Sequence, residues 1–321
     1  MCLYPRFIRN KRYFQTINEK KKVYNEKICN DYRKLYVPIG CGECLECRRQ
    51  KSQAWRVRLL EELKVNKYAY FITLTFSNEE LDKLCKETET NECNAVATIA
   101  VRRFLERWRK TYKKSLRHWL ITELGHENTE RIHLHGIIFS NDIELNEELL
   151  HEYWKYGKID IGEYCNEKTI NYIVKYVTKI DMDHKDYKAV ILCSAGLGEA
   201  FTKTLGAQYT YKYKKGATPE YYTLNNGNKV ALPIYYRNKL FTEEERENMW
   251  TDRLDKGSIY VNGIEIKNTN TEEGQRNYYN VIENAQRENK ELGYGSTGKE
   301  WKKQAYNVTF KMLQNVNPTK K

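Results

Sequence analysis

Two apolar segments joined by a polar turn fill residues 117–139: RHWLITELG, HENTE and RIHLHGIIF. Each segment is short and rich in β-branched and aromatic residues, which predicts two antiparallel strands side by side. Side chains alternate between the two faces of a strand, so His133 and His135 share one face, while Ile132 and Leu134 take the other. The second strand therefore presents two imidazoles from one rigid element.

Two imidazoles on one strand can hold a divalent ion when a third ligand joins them, and the ion would polarise a phosphate oxygen as a Lewis acid. Glu123 lies ten positions before His133, so strand pairing would bring its carboxylate to the same face. His126, within the turn, is a weaker candidate. The alternative is that these residues are surface histidines and an exposed glutamate near a turn.

The segment EKTINYIVKYVTKI, residues 167–180, has the spacing of an amphipathic helix. One stripe is apolar, and the nearly opposite stripe carries two tyrosines and two lysines: Ile170, Ile173, Val174 and Val177 against Tyr172, Lys175, Tyr176 and Lys179. Two phenols one turn apart suit phosphoryl transfer, in which a phenolate attacks and ammonium groups neutralise phosphate charge. The alternative is an ordinary amphipathic helix in a tyrosine-rich protein. Its position after a His-x-His strand favours the catalytic interpretation.

The composition favours a nucleic-acid partner. The chain of 321 residues carries 55 Lys and Arg against 43 Asp and Glu, a net charge of +12, and has 26 tyrosines that can stack on bases. A solvated basic surface is the alternative. No stretch approaches the roughly 18 apolar residues of a membrane span, and the N-terminus lacks the apolar run of a signal peptide, so we expect a cytosolic protein with no membrane partner.

Further segments complete an α+β pattern. The predicted elements are a helix over 47–65, a strand over 68–76, an acidic loop over 78–94, a basic helix over 97–114, a helix over 146–154 and a strand over 158–164. Helices packed against such strands predict an α+β sandwich with a largely antiparallel sheet. We predict three segments: a cysteine-cluster and basic-helix region over 1–66, a catalytic core over 67–240, and a helical and hairpin extension over 241–321.

Outside that pattern the signals are weaker. The first forty residues predict irregular structure around a short strand. Two hairpin turns are predicted, one at NNGN, residues 225–228, and one at Asn262-Gly263. Thr242 with Glu245 predicts a capping box on a helix that ends near residue 255, and the last fifty residues predict mostly helix.

The nine cysteines suggest metal binding by reduced thiols. Cys41, Cys44 and Cys47 are spaced so that their thiolates can surround one soft cation, and Cys2 is the candidate fourth ligand of a tetrahedral structural Zn²⁺. Such an ion would clamp the N-terminal segment to the first helix. The alternative is a set of free, partly buried cysteines. The others are interpreted as structural: Cys29, Cys85, Cys93, Cys165 and Cys193.

Two further sets are candidates for contacts with DNA. Basic residues of the second helix, together with the basic N-terminus, are predicted to hold the phosphate backbone: Arg102, Arg103, Arg107, Arg109 and Lys110. Thr73 and Thr75 share one face of the strand FITLTF, where their hydroxyls can touch DNA or support the site. Ordinary β-propensity explains these threonines equally well.

These pieces in this order resemble the replication initiator of gokushovirus-type microviruses, Microviridae, a branch of the HUH endonuclease superfamily. The resemblance covers roughly residues 1–240. It is carried by MCLYP, VPIGCGECLECRRQKSQAWRVRLLEE, FITLTF, ELG before RIHLH, YIVKYVTK, SAGLGEAF and LPIYYRNKL. Relatives often have Pro-His-aromatic-His where this chain has Ile132 and Leu134 around His133, and an aromatic residue in place of Leu124.

The resemblance implies a fold, a site and a reaction. The fold would be a five-stranded antiparallel sheet flanked by helices, related to ferredoxin-like and RNA-recognition folds. His133 and His135, with Glu123 as third ligand, would bind Mg²⁺ or Mn²⁺, and Tyr172 and Tyr176 would be the nucleophiles. The protein would nick and rejoin single-stranded origin DNA through a 5′-phosphotyrosine, freeing a 3′-hydroxyl primer, in the cytoplasm of a bacterial host with host helicase and polymerase as partners.

Two rival functions remain open at this stage. One is a plasmid or mobile-element initiator, relaxase or transposase with the same chemistry, although paired tyrosines argue against single-tyrosine transposases and no GxxxxGK[ST] loop is visible. The other is a zinc-stabilised nucleic-acid-binding protein without catalysis. The second predicts that replacing Tyr172 and Tyr176 by phenylalanine leaves function intact.

Overall fold

The computed structural model describes residues 1–18, 21–24, 29, 31–125, 130–184, 186–295 and 301–314. The chain groups into two compact units, each assembled from separate stretches of sequence: Met1–Lys51, Leu205–Tyr221 and Ile234–Lys321 in the first, Ser52–Thr204 and Tyr222–Pro233 in the second. The three predicted segments, which divide the chain by role, stay a prediction.

Strands and helices alternate along the chain. The strands are β1 Arg6–Arg9, β2 Phe14–Asn18, β3 Lys21–Tyr24, β4 Tyr36–Ile39, β5 Tyr68–Leu74, β6 Arg117–Leu124, β7 Ile132–Ser140, β8 Ile159–Tyr164, β9 Ile191–Cys193, β10 Tyr221–Thr223, β11 Lys229–Ala231, β12 Ile259–Val261 and β13 Ile264–Ile266. The helices are α1 Leu45–Leu63, α2 Asn78–Thr88, α3 Cys93–Tyr112, α4 Glu147–His151, α5 Glu167–Ile173, α6 Lys175–Thr178, α7 Leu205–Thr210, α8 Ile234–Leu240, α9 Glu243–Lys256, α10 Glu272–Glu291 and α11 Lys303–Gln314.

A five-stranded sheet forms the centre of the second unit. Its strand order is β8-β5-β7-β6-β9, and every neighbouring pair is antiparallel. The predicted strand pair over 117–139 is confirmed as β6 and β7, whose register sets Glu123 opposite His133. The fifth strand, β9, follows the region where the sequence signals weaken.

Helices cover both faces of this sheet. One face packs on α2, α3 and α4 in a core that includes Ile72, Leu120, Leu134, Ile138, Leu84, Ala97, Phe104 and Leu150. On the other face, Trp119 of β6 meets Trp55 of α1, with ring centroids 5.8 Å apart. Ser52 of α1 also donates a hydrogen bond of 2.9 Å to the carbonyl of Val174, between α5 and α6. The α+β class with an antiparallel sheet flanked by helices is therefore confirmed.

The acidic loop predicted over 78–94 is wrong, because much of it is helix α2. Ser77 caps this helix by accepting a hydrogen bond from the backbone N–H of Glu80 at 3.2 Å. Leu84 lies in the core with 1% of its surface exposed. The Asn- and Glu-rich composition concealed an amphipathic helix whose apolar side needs the sheet to become visible.

The single helix predicted over 167–180 is also wrong in detail, since α5 ends at Ile173 and α6 begins at Lys175. The carbonyl of Val174 accepts both from Ser52 and, three residues on, from the backbone N–H of Val177 at 3.2 Å. The first forty residues hold more regular structure than predicted, since β1 pairs with β4 and β2 pairs with β3.

Several predictions in the weaker regions are confirmed. The strands β10 and β11 pair around the NNGN turn, and β12 and β13 pair around Asn262-Gly263. Thr242 and Glu245 form the predicted capping box of α9. Helices α10 and α11 occupy most of the described part of the last fifty residues. Among the described residues, no helix combines the length and apolarity needed to cross a membrane.

Gly136, directly after His135 in β7, allows the close approach of β6. An added Cβ would lie 2.5 Å from the carbonyl oxygen of Trp119 and 2.3 Å from a methyl carbon of Leu120. Gly136→Ala is therefore expected to lower the free energy of unfolding by about 2–3 kcal/mol, measured by urea denaturation.

The matched control is Gly162→Ala in β8 of the same sheet. There the nearest atom to an added Cβ is a ring carbon of Phe71 at 3.5 Å, an ordinary contact. This variant should change stability by no more than about 0.5 kcal/mol. Equal losses in the two variants would contradict the packing argument.

Candidate active site

The β6–β7 register brings the three predicted metal ligands together. The Nε2 atom of His133 lies 3.2 Å from Oε2 of Glu123, and Nε2 of His135 lies 3.1 Å from the same oxygen. One ligand atom from each residue lies within 4.8 Å of the other two. A mixed set of two imidazole nitrogens and one carboxylate oxygen suits a divalent cation and leaves other coordination positions for a substrate.

The other nitrogen of each ring has its own partner. Nδ1 of His133 is 3.4 Å from the carbonyl oxygen of Arg131, and Nδ1 of His135 is 3.1 Å from the hydroxyl of Thr73 on β5. Such partners fix the orientation of metal-binding imidazoles. Both rings therefore direct Nε2 towards Glu123. Thr73 acts on the site through His135, one of the two roles predicted for it.

Glu123 is the electrostatic centre of the cluster. Its side chain is 12% exposed, and the ammonium of Lys179 contacts its second oxygen, Oε1. Burial by itself raises the pKa of the Glu123 carboxyl, but hydrogen bonds with His133, His135 and Lys179 outweigh burial and hold the pKa well below its usual range. The residue is an anion at neutral pH and can act as a ligand.

The two tyrosines of the α5–α6 segment meet at this cluster. Their hydroxyl oxygens are 3.0 Å apart. The ring of Tyr176 stacks on that of His135 with centroids 4.7 Å apart, while Tyr172 is 50% exposed. The opposite stripe of the segment is buried as predicted: Ile170, Ile173, Val174 and Val177. The apolar stripe anchors the segment, and the phenols face the histidines.

The lysines of the same stripe lie close to the phenols. The ammonium of Lys175 is 5.9 Å from the ring centre of Tyr172, and that of Lys179 is 5.9 Å from the ring centre of Tyr176. Burial, the hydrogen bond with Tyr172 and the charge of Glu123 together raise the pKa of Tyr176 above its ordinary value. Two fixed cations thus stand where phosphate charge would need to be neutralised.

A cleft of about 660 Å³ opens beside the cluster. Glu123 and His133 form part of its wall, and Arg131 and Lys158 line it as well. The sequence interpretation missed these two basic residues, although each directly precedes a predicted strand. It also missed Phe71, whose ring contacts those of both His135 and Tyr172, and which strand alternation places on the face of Thr73.

The structure does not bring the α3 basic residues to this cluster. Helix α3 packs on the sheet face opposite to the histidines, as shown by the burial of Phe104 against that core. Arg103 pairs with Glu87 at 2.7 Å, and Nε of Arg107 donates to the carbonyl of Tyr153 at 2.8 Å. The other three members of the set are exposed: Arg102, Arg109 and Lys110. Their predicted role in DNA binding stays a prediction.

Other predicted residues lie elsewhere. The hydroxyl of Thr75 bonds to the backbone of Lys158, donating to its carbonyl at 3.2 Å and accepting from its N–H at 3.1 Å. His126 lies outside the described residues. The four cysteines of the predicted zinc site come together in the first unit, with one sulfur from each within 4.8 Å of the others: Cys2, Cys41, Cys44 and Cys47.

Comparison with known proteins gives this geometry a relationship. Residues 69–181 match the family model of the ORF2-type replication-associated protein. The matched range begins in β5 and ends just beyond α6, so it contains Glu123, both histidines and both tyrosines. The family match therefore covers the stretch that builds the site.

A curated relative agrees with that match. Replication-associated protein ORF4 of Chlamydia phage 1 is 22% identical over 225 residues, which is 63% of this chain and 53% of that protein. The chain thus spans about half the length of the curated relative that it matches. No solved structure matches the chain significantly. The two matches confirm the resemblance to a microvirus-type replication-associated protein.

The Thr73 hydroxyl provides a test of the ligand cluster. Thr73→Val keeps the shape of the side chain and removes the partner of Nδ1 of His135, so we expect Mn²⁺ affinity to fall about tenfold, measured by calorimetric titration.

Thr75→Val is the matched control, two positions along the same segment, because its hydroxyl bonds to backbone rather than to a ligand. It should bind Mn²⁺ as the wild type does. An unchanged affinity in Thr73→Val would show that this hydroxyl does not orient His135.

Proposed function

We propose that this protein initiates rolling-circle replication by nicking and rejoining single-stranded origin DNA, as an HUH-type tyrosine nickase. The observation that carries the proposal is the stack of Tyr176 on His135, 4.7 Å between ring centres, with the Tyr172 hydroxyl 3.0 Å from that of Tyr176. It sets a pair of nucleophiles directly against a cluster of metal ligands.

Glu123, His133 and His135 are the residues that would hold Mg²⁺ or Mn²⁺. Their three ligand atoms converge, and the two rings are oriented through Arg131 and Thr73, which fits a resident divalent ion. When bound, the ion supplies Lewis-acid stabilisation of charge on the phosphate oxygens.

The reaction is a transesterification in which a tyrosine replaces a nucleoside as the phosphate ester partner. The phenolic oxygen forms a bond to phosphorus, and the bond from phosphorus to the 3′-oxygen breaks. The phenolic proton is balanced by the proton that the departing 3′-hydroxyl takes up. Lys175 and Lys179 neutralise charge on the phosphate, and the resulting 5′-phosphotyrosine retains the ester bond for rejoining.

The second tyrosine gives the site a way to complete a round. Because the two hydroxyls are 3.0 Å apart, one phosphate position lies within reach of both. While one tyrosine carries the 5′ end, the other can attack the regenerated junction, and the released 3′-hydroxyl can displace the first tyrosine. This sequence of attacks would circularise one unit of DNA without a further energy source.

The cleft next to the ligand cluster suits the approach of a DNA strand. Arg131 and Lys158 add positive charge to its wall. The free 3′-hydroxyl would prime a host polymerase, with a host helicase opening the duplex. The similarity to a phage replication-associated protein favours a phage initiator over a plasmid or mobile-element enzyme.

The proposal is tested by the covalent adduct. Purified protein incubated with circular single-stranded phage-type DNA and Mn²⁺ should give a protein–DNA band on a denaturing gel. The double variant Tyr172→Phe/Tyr176→Phe should lose it at least about 10³-fold, since no nucleophile remains, whereas each single variant should still form some adduct. Chelation by EDTA should abolish the band in every variant.

Tyr164→Phe is the matched control, because this tyrosine of β8 is 51% exposed, much like Tyr172, but is hydrogen-bonded to Glu144. It should form adduct as the wild type does. DNA binding without any adduct would instead support the non-catalytic binding protein.

A further inference from the structure

The cysteine cluster of the first unit has no part in the proposed nicking reaction. Its sulfurs come from two places in the sequence: Cys2 near the N-terminus, and Cys41, Cys44 and Cys47 around the start of α1. The Sγ atoms of Cys2 and Cys44 are 3.9 Å apart, and those of Cys41 and Cys47 are 4.0 Å apart. A tetrahedron with Zn–S bonds of about 2.3 Å has edges of about 3.8 Å. The spacing is thus that of four thiolates around one zinc ion.

The backbone around the sulfurs supplies donors that favour thiolates. The N–H groups of Tyr4 and Cys41 point to Sγ of Cys2 at 3.2 and 3.1 Å, the N–H of Cys44 to Sγ of Cys41 at 3.3 Å, and the N–H of Leu3 to Sγ of Cys44 at 3.5 Å. Donors of this kind offset negative charge in a poorly hydrated place. The sulfur spacings are about twice the roughly 2.05 Å of a disulfide.

The local chain conformation is fitted to this cluster. Gly42, between Cys41 and Cys44, has φ +86°, a left-handed conformation that glycine adopts without strain. At Gly40 an added Cβ would lie 3.0 Å from Sγ of Cys47 and 3.6 Å from Cβ of Cys2. The two glycines let the loop wrap closely around the sulfurs.

We propose that Cys2, Cys41, Cys44 and Cys47 bind one structural Zn²⁺. Four thiolates fill a tetrahedral site and leave no position for a substrate, so the ion takes no part in the reaction. This inference does not rest on the nickase activity, because the two metal sites share no ligand.

The site joins the two ends of the first unit's sequence. Cys2, Leu3 and Cys44 belong to an apolar cluster with residues of the C-terminal helices and of the last hairpin: Val261, Ile266, Tyr278, Ile282, Ala285, Tyr306 and Phe310. Close by, the side chain of Gln286 donates to the carbonyl of Leu3, and that of Asn289 accepts from the N–H of Leu45 at 2.8 Å. Zinc therefore secures the N-terminal segment where α10 and α11 pack.

The test is the zinc content of full-length protein purified under reducing conditions without added metal. Mass spectrometry of metals should find one zinc per chain. Titration of the wild type with a mercurial thiol reagent should release that zinc in proportion to the thiols modified, read with a chromogenic zinc indicator. Replacement by Co²⁺ should give the intense visible absorption of a tetrahedral tetrathiolate site.

Variants separate this site from the histidine site. Cys47→Ser should lose the zinc and shift thermal unfolding to lower temperature, whereas Cys85→Ser, a change at a thiol outside the cluster, should keep one zinc per chain. The double variant His133→Ala/His135→Ala should also keep it, whether or not that variant nicks DNA.

Three results would overturn the proposal. They are the absence of zinc with four free thiols, the loss of four hydrogens that marks two disulfides, and zinc that disappears with the histidines. Stoichiometric iron in place of zinc would reject the identity of the ion. Since the thiol titration uses the wild type, failure of Cys47→Ser to fold would leave a decisive measurement.

Discussion

The pairing of β6 with β7 in one register is the constraint on which the site depends. It sets Glu123 opposite His133, and the two-residue repeat of a strand then adds His135 to the same face. A slip of one residue would turn the two imidazoles into the apolar core and expose Leu134. The core on the other face prevents that slip, and Gly136 allows the strands to approach where a side chain would collide with the backbone of β6.

The electrostatics of the site follow from one buried carboxylate. Glu123 receives contacts from both imidazoles and from Lys179, so it stays ionised although it is largely buried. The same lysine connects the ligand cluster to the helix that carries the tyrosines. Tyr176 completes the connection by stacking on His135. Ligands, cation and nucleophiles are thus held by mutual contacts, which limits the reorganisation needed when a phosphate arrives.

The two units stabilise themselves by different means. In the second, a five-stranded sheet with helices on both faces buries a large apolar core. In the first, apolar side chains from the N-terminal segment, the last hairpin and the C-terminal helices form a smaller cluster, and four cysteines gather beside it. A metal cross-link between residues 2 and 44 would stabilise such a unit chiefly by restricting the unfolded chain.

The sequence by itself determined the ligand strand and the nucleophile pair, because alternation in RIHLHGIIF and the helical spacing of EKTINYIVKYVTKI are local properties of the chain. It also determined the capping box at Thr242, which involves only neighbouring residues. Only the tertiary structure decided the rest. The break at Val174 accompanies a hydrogen bond from Ser52, the arginines of α3 lie on the face opposite to the histidines, and Cys2 meets Cys44 across the chain. These features depend on contacts between residues far apart in sequence, and no local period or propensity encodes such contacts.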